Sequence, residues 1–149
     1  MGDRLREAWV IAAAGEDTSR RFHVPGEFGE LTPWVQVRPL TAREALQREA
    51  AGLEETYQLG PDGAPAAVSR TYDHEAMMQF EVERCVVDYE LPMRMRSGEV
   101  RAVGPDEMPR AELLDRLPVR LVDWLEECLS IVNMRTPEAE EVLAEGKGG

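Results

Sequence analysis

Apolar side chains recur at helical spacing in two long stretches of the chain. Over residues 73–90 this spacing predicts a helix whose inward stripe consists of Met78, Val82, Cys85, Val86 and Tyr89. Over residues 118–133 it predicts a second helix whose stripe consists of Leu121, Leu125, Cys128, Leu129 and Val132. Asp73 suits the N-cap of the first helix, and Pro118 suits the first turn of the second, where a missing amide costs nothing. The two helices are expected to supply much of the core.

Residues 34–51 predict a strand that passes directly into a helix. Trp34 and its neighbouring valines favour a half-buried strand, and Pro39 ends it because proline cannot donate to a ladder. Thr41 and Glu44 form the spacing of a capping box, in which the hydroxyl and the carboxylate each accept a hydrogen bond from a free backbone amide. We therefore expect a strand over 34–38 and a capped helix from Thr41.

The remaining elements are shorter. Alternating apolar and charged residues around a Ser97-Gly98 turn predict a β-hairpin over residues 93–103. A Gly-Pro-Asp-Gly run predicts an exposed, mobile loop over 58–71. Short helices are expected over 109–116 and 138–144.

These elements predict an α+β fold that is predominantly helical, with about four to five helices, a short N-terminal strand and a β-hairpin. We expect a single globular domain over residues 1–144, because neither side of the 58–71 loop holds enough apolar residues for a separate core. Residues 1–33 form a poorly defined N-terminal segment, although Phe22-His23-Val24 could be a short strand. Residues 145–149 are expected to be a disordered tail.

The net charge of the chain limits the kinds of molecule that it is expected to bind. The 149-residue chain has 29 acidic and 17 basic residues and a net charge of −12. Such a surface repels phosphate backbones and anionic lipids, so we expect neither nucleic-acid nor membrane binding. Because we find no apolar run of spanning length and no convincing signal peptide, we expect a cytosolic protein.

The chain offers little that resembles catalytic chemistry. It has two cysteines, Cys85 and Cys128, which fall in apolar helical patterns and are expected to be buried free thiols. Of the two histidines, neither His23 nor His74 lies in a catalytic or metal-binding motif, and adjacent helical residues such as Asp73 and His74 point too far apart to share an ion. We therefore predict no catalytic residues, no cofactor and no metal.

A protein-binding surface is the remaining possibility. Phe28 lies in a glycine-rich acidic loop, where exposure would make it a partner anchor, and the methionines of the 93–103 hairpin suit an adaptable surface. Core packing is the competing interpretation for the methionines. The partner-binding residues that we predict are Phe28, Met93, Met95, Val100, Val142 and Leu143.

The order of these elements resembles the tail assembly chaperones of long-tailed bacteriophages and related prophages. The resemblance covers roughly residues 34–133 and includes the segments "WVQVRPLTAREAL", "VERCVVDYEL" and "LLDRLPVRLVDWLEECLSIVN". The matching positions are Arg38, Leu40, Thr41, Glu44, Val86, Asp88, Tyr89, Gly98, Leu117, Pro118 and Asn133.

The resemblance implies a mostly helical, non-enzymatic protein with two clients, the tail tube protein and the tape-measure protein, which it keeps soluble before the tail polymerises. Two alternatives stay open at the level of sequence. One is a structural protein of the virion, such as a tail-completion or neck subunit, with a self-complementary surface. The other is a small enzyme with a polar pocket. The oligomeric state is left open as well.

Overall fold

The computed structural model describes residues 17–134. Within this range the chain forms six strands and four α-helices, and its content is 38% helix and 31% strand. The strands are β1 (Arg20–His23), β2 (Trp34–Val37), β3 (Leu53–Leu59), β4 (Pro65–Tyr72), β5 (Val86–Arg94) and β6 (Val100–Val103). The helices are α1 (Ala42–Gly52), α2 (His74–Cys85), α3 (Leu113–Arg116) and α4 (Val119–Val132), with a 3₁₀ turn at Arg110–Glu112. The α+β class is correct, but our prediction of a predominantly helical protein is wrong.

A four-stranded antiparallel sheet with the order β1-β2-β5-β6 forms the centre of the fold. Helices α2 and α4 contact this sheet and each other. A single cluster of buried side chains joins them, and its members below 2% exposure include Val35, Val37, Val82, Cys85, Val86, Tyr89, Val103, Leu113 and Leu129. Both cysteines are buried and neither is in a disulfide, as predicted.

The largest error in the sequence prediction concerns residues 86–90, which are strand rather than helix. The chain leaves the helix at Val86, whose backbone is extended, and β5 then pairs with β2 and β6. A register shift opposite Gln36 and Val37 lets Val86 and Tyr89, three residues apart, both face the core. Their spacing therefore imitates the period of a helix.

The transition from β2 to α1 follows the prediction closely. Thr41 caps α1, and its hydroxyl and the Glu44 carboxylate form both hydrogen bonds of the capping box. Arg38 also donates from both terminal nitrogens to the two oxygens of Glu44, each at 2.8 Å. This hydrogen-bonded guanidinium is the main reason why the pKa of Glu44 falls to about 2.

A second, two-stranded sheet replaces most of the loop that we predicted over 58–71. Strands β3 and β4 form an antiparallel hairpin whose turn contains the Gly-Pro-Asp-Gly run, so the turn chemistry was recognised but its extent was overestimated. Pro65 is accommodated because it is the first residue of its strand. Every residue of this hairpin from Leu53 to Leu59 and from Val68 to Tyr72 is exposed. The loop prediction implied such exposure for residues 58–71.

The other hairpin, β5–β6, confirms the turn predicted at Gly98. Its glycine has a φ of 91°, a conformation that side-chain-bearing residues rarely adopt. The predicted helix over 138–144 and the predicted tail lie outside the described residues. Among the helices of residues 17–134, none has the length and apolar character needed to cross a membrane.

Candidate functional site

An open groove of about 1050 Å³ lies at one end of the central sheet, between three separate parts of the chain. One wall is the loop after β1, the second is the β5–β6 hairpin, and the third is the junction between α3 and α4. We call this surface the arginine-rimmed groove. Its lining residues are Val24, Pro25, Glu27, Phe28, Gly29, Pro92, Met93, Arg94, Val100, Met108, Arg116, Leu117, Pro118, Arg120, Leu121 and Trp124.

Three of the predicted partner-binding residues, Phe28, Met93 and Val100, come together in this groove. Each is half-buried, so each has part of its side chain available at the surface. Met95 is also half-buried, but it is not among the residues that line the groove; its sulfur accepts a hydrogen bond from Arg101 at 3.4 Å. Val142 and Leu143 lie outside the described residues.

The position of Phe28 corrects the expectation that it would be an exposed loop residue. Its ring packs against the buried core, and its loop is held by a bridge to Leu31, whose amide donates to the Phe28 carbonyl at 3.1 Å. Gly26 has a φ of 118°, and a β-carbon there would lie 3.4 Å from the ring. The glycine therefore permits the turn that brings the phenyl ring back against the protein.

The floor of the groove is anchored to the core. Met108 is only 4% exposed, and its carbonyl accepts a hydrogen bond from the buried hydroxyl of Tyr89 in β5. Burial raises the pKa of this tyrosine, so its hydroxyl stays protonated and able to donate. The bond connects the central sheet to the segment beneath the groove, and a floor held in this way is suited to binding without rearrangement.

The charge at the rim differs in sign from the charge of the whole chain. Arg94, Arg116 and Arg120 line the groove, and Glu27 is their single acidic counterpart among the lining residues. Within residues 17–134, Arg94 and Arg120 form no ion pair, while Arg116 lies 3.9 Å from Glu112. The guanidinium groups of Arg94 and Arg120 are thus available to a carboxylate from outside the protein.

The start of α4 adds to the positive potential of the rim. Pro118 provides no side-chain cap for the helix, and the first turn of α4 contains Arg120 but no acidic residue. The free amides of a helix N-terminus carry partial positive charge, which an acidic residue in the first turn would normally offset. These arginines were not among the residues predicted from the sequence, although a basic residue two positions after Pro118, in the first turn of the predicted helix, was the available signal.

The histidines lie elsewhere. His23 is exposed, and His74 is 3.0 Å from Glu126 with 70% of its side chain exposed, so water screens that pair. Neither lines the groove. In the part of the chain from 17 to 134, no group of three or more histidine, cysteine, aspartate or glutamate side chains is arranged to hold a metal ion.

The β3–β4 hairpin is a second exposed surface, and it has two different faces. Cross-strand neighbours share a face, so the pairs Leu53–Tyr72 and Tyr57–Val68 lie on one side, with the ion pair Glu55–Arg70 between them. The opposite face is polar and includes the pairs Glu54–Thr71 and Thr56–Ser69. We call the first side the apolar hairpin face; its four apolar side chains are 36–59% exposed.

Comparison with known proteins adds no relative to this description. No protein family, curated protein or solved structure matches the chain.

Proposed function

We propose that this chain is a non-enzymatic phage tail assembly chaperone that binds a segment of its client in the arginine-rimmed groove. The observation that carries the proposal is the groove itself, in which Phe28, Met93 and Val100 from three different elements meet on one open apolar surface. Exposed apolar surface that is concave and has a polar rim is typical of protein-binding sites.

The rim favours a client segment that is both apolar and acidic. The half-buried side chains of Met93, Leu121 and Trp124 offer contacts for apolar residues, and the arginines offer paired hydrogen bonds to carboxylates. The net charge of −12 would repel an acidic client elsewhere on the surface. Binding would therefore be confined to the groove, which suits a chaperone that has to release its client when the tail polymerises.

The clients that we propose are the tail tube protein and the tape-measure protein. The test is co-expression of the full chain with each of them, followed by affinity capture and measurement of the soluble client fraction. Capture of at least one client in soluble form is expected. Recovery of neither client, from cells in which both are expressed, would contradict the proposal.

A matched pair of valines tests whether the groove is the binding surface. Val100 lines the groove from β6, whereas Val87 is 43% exposed in β5 and is not among the lining residues. Val100→Glu should abolish capture of the client, and Val87→Glu should preserve it. Arg94→Glu and Arg96→Glu form a second pair, because Arg96 is exposed but is not among the lining residues, and only the first should weaken binding. Equal effects within both pairs would reject the groove.

One observation favours a second candidate, a structural protein of the virion. The exposed β3–β4 hairpin carries uncovered apolar side chains of the kind that pack between neighbouring subunits of an assembly. Analysis of purified particles separates the two proposals. A chaperone should be missing from finished particles, whereas a structural subunit should remain at a fixed copy number.

A further inference from the structure

The β3–β4 hairpin has an apolar face with nothing packed on it among the described residues. Tyr57 and Val68 are 57% and 51% exposed, and Leu53 and Tyr72 at the base are 36% and 59% exposed. A two-stranded hairpin is marginally stable by itself, and it gains stability when an apolar face is covered. A second surface that packs on this face would therefore stabilise the hairpin.

The charges on this face favour a second copy of the same chain as the molecule that covers it. Glu55 and Arg70 lie on it as a cross-strand pair 3.1 Å apart, and Tyr57 donates a hydrogen bond to the other Glu55 oxygen at 2.6 Å. The apolar hairpin face therefore carries one acidic and one basic group and is electrically neutral on a chain with a net charge of −12. A neutral face lets two copies of this acidic chain approach each other there without local charge repulsion.

We propose that the apolar hairpin face is a self-association surface, on which the same face of a second copy packs about a two-fold axis parallel to the strands. Such an axis places β3 of one copy over β4 of the other. Glu55 then faces Arg70 of the second copy, and Tyr57 faces Val68 of the second copy. Each contact occurs twice, as a two-fold interface requires.

The area of the apolar hairpin face indicates how stable the dimer should be. A ribbon of seven to eight residues in two strands measures about 25 Å by about 10 Å, so two such faces together cover about 500 Å². An area this small lies below that of standard specific interfaces, so the dimer is expected to be weak and to form only at high protein concentration. This proposal is independent of the client groove, which involves different residues.

Sedimentation velocity on the full chain, over a range of concentrations, tests the proposal. The expected result is a reversible monomer–dimer equilibrium. Tyr57→Glu should raise the dissociation constant of the dimer by roughly tenfold or more, because it places a charge in the interface. Thr56→Glu adds the same charge to the polar face of the same strand and should leave the equilibrium nearly unchanged. A chain that is monomeric at all concentrations, or two variants with equal effects, would overturn the proposal.

A charge-reversal experiment provides a second test that does not depend on the stability of one variant. Glu55→Arg leaves two positive charges on the face, and Arg70→Glu leaves two negative charges. Each variant alone should be monomeric. An equimolar mixture should form a heterodimer, because every reversed charge then meets its opposite on the other copy. Failure of the mixture to associate, with both variants shown to be folded by circular dichroism, would overturn the two-fold arrangement.

Discussion

Asn133, at the end of α4, donates its side-chain amide to the buried carboxylate of Glu81 in α2 at 2.9 Å. Arg48 of α1 donates to the other oxygen of that carboxylate, also at 2.9 Å, and the side-chain oxygen Oδ1 of Asn133 accepts from the backbone amide of Leu40 at 2.8 Å. Glu81 is 1% exposed, so this network lies in the interior. It connects three helices that are distant in sequence and fixes how they meet.

Glu81→Ala should therefore be strongly destabilising, because it leaves the Arg48 guanidinium and the Asn133 amide without this shared acceptor. Breaking a buried ion pair from one side costs about 3 kcal/mol or more. Glu81→Gln keeps an acceptor for Asn133 and should cost less. Urea denaturation measures both, and Glu83→Ala, an exposed position in the same helix, is the control. A cost for Glu81→Ala no larger than that for Glu83→Ala would contradict this account.

Features of the fold that depend on neighbouring residues in the sequence could be predicted, whereas features that depend on tertiary pairing could not. The start of α1 could be predicted from Thr41 and Glu44, and the hairpin turn from Gly98, because each of these residues acts on backbone groups at most a few residues away. The strand at Val86 could not be predicted, since the irregular register that lets Val86 and Tyr89 face the same way exists only when β2 is in place.

The candidate site shows the same division. Phe28, Met93 and Val100 were selected from the sequence one at a time, as apolar residues in exposed-looking segments. Their convergence, and that of Arg94 with Arg120, depends on the packing of α4 beside the β5–β6 hairpin, for which the linear sequence offers no signal. The apolar hairpin face was not predicted, because the loop inferred from the turn residues at 60–64 was extended over the strand that follows them.

Low pH should lower the stability of the folded protein by protonating Glu44. Because its pKa is lowered from 4.5 to about 2, its ion pair stabilises the folded state fully above pH 4.5, and this contribution is lost as pH falls towards 2. Partial exposure of Arg38 and Glu44 limits the contribution to about 1–2 kcal/mol. Glu44→Gln retains a capping side chain but loses the charge. The stability difference between wild type and Glu44→Gln should therefore be largest at pH 7 and narrower at pH 3, as measured by urea denaturation; a constant difference would contradict the assignment.

Gly52, the last residue of α1, should not tolerate a side chain. An added β-carbon would lie 2.3 Å from Cγ of Met77 and 2.9 Å from the carbonyl oxygen of Asp73, which is backbone and cannot move aside easily. Gly52→Ala should cost about 1–3 kcal/mol of stability, despite the better helix propensity of alanine. Ala51→Gly, one residue earlier and exposed, should cost about 1 kcal/mol for the opposite reason. Thermal unfolding measures both, and a stabilised Gly52→Ala protein would show that α1 and α2 lie further apart.

The two thiols should be unreactive in the folded protein. Burial raises the pKa of Cys128 to about 12, so this thiol stays protonated at neutral pH, and the side chain of Cys85 has 0% exposure, so reagents in solvent cannot reach it. A thiol reagent at pH 8 should label almost no cysteine in the native chain and two cysteines in denaturant. Because labelling then requires opening of the core, its rate should increase in Glu81→Ala by about tenfold for each ~1.4 kcal/mol of lost stability. Rapid native labelling of Cys128 would mean that α4 separates from the sheet without global unfolding, and comparison with Cys128→Ala would assign the reactive thiol.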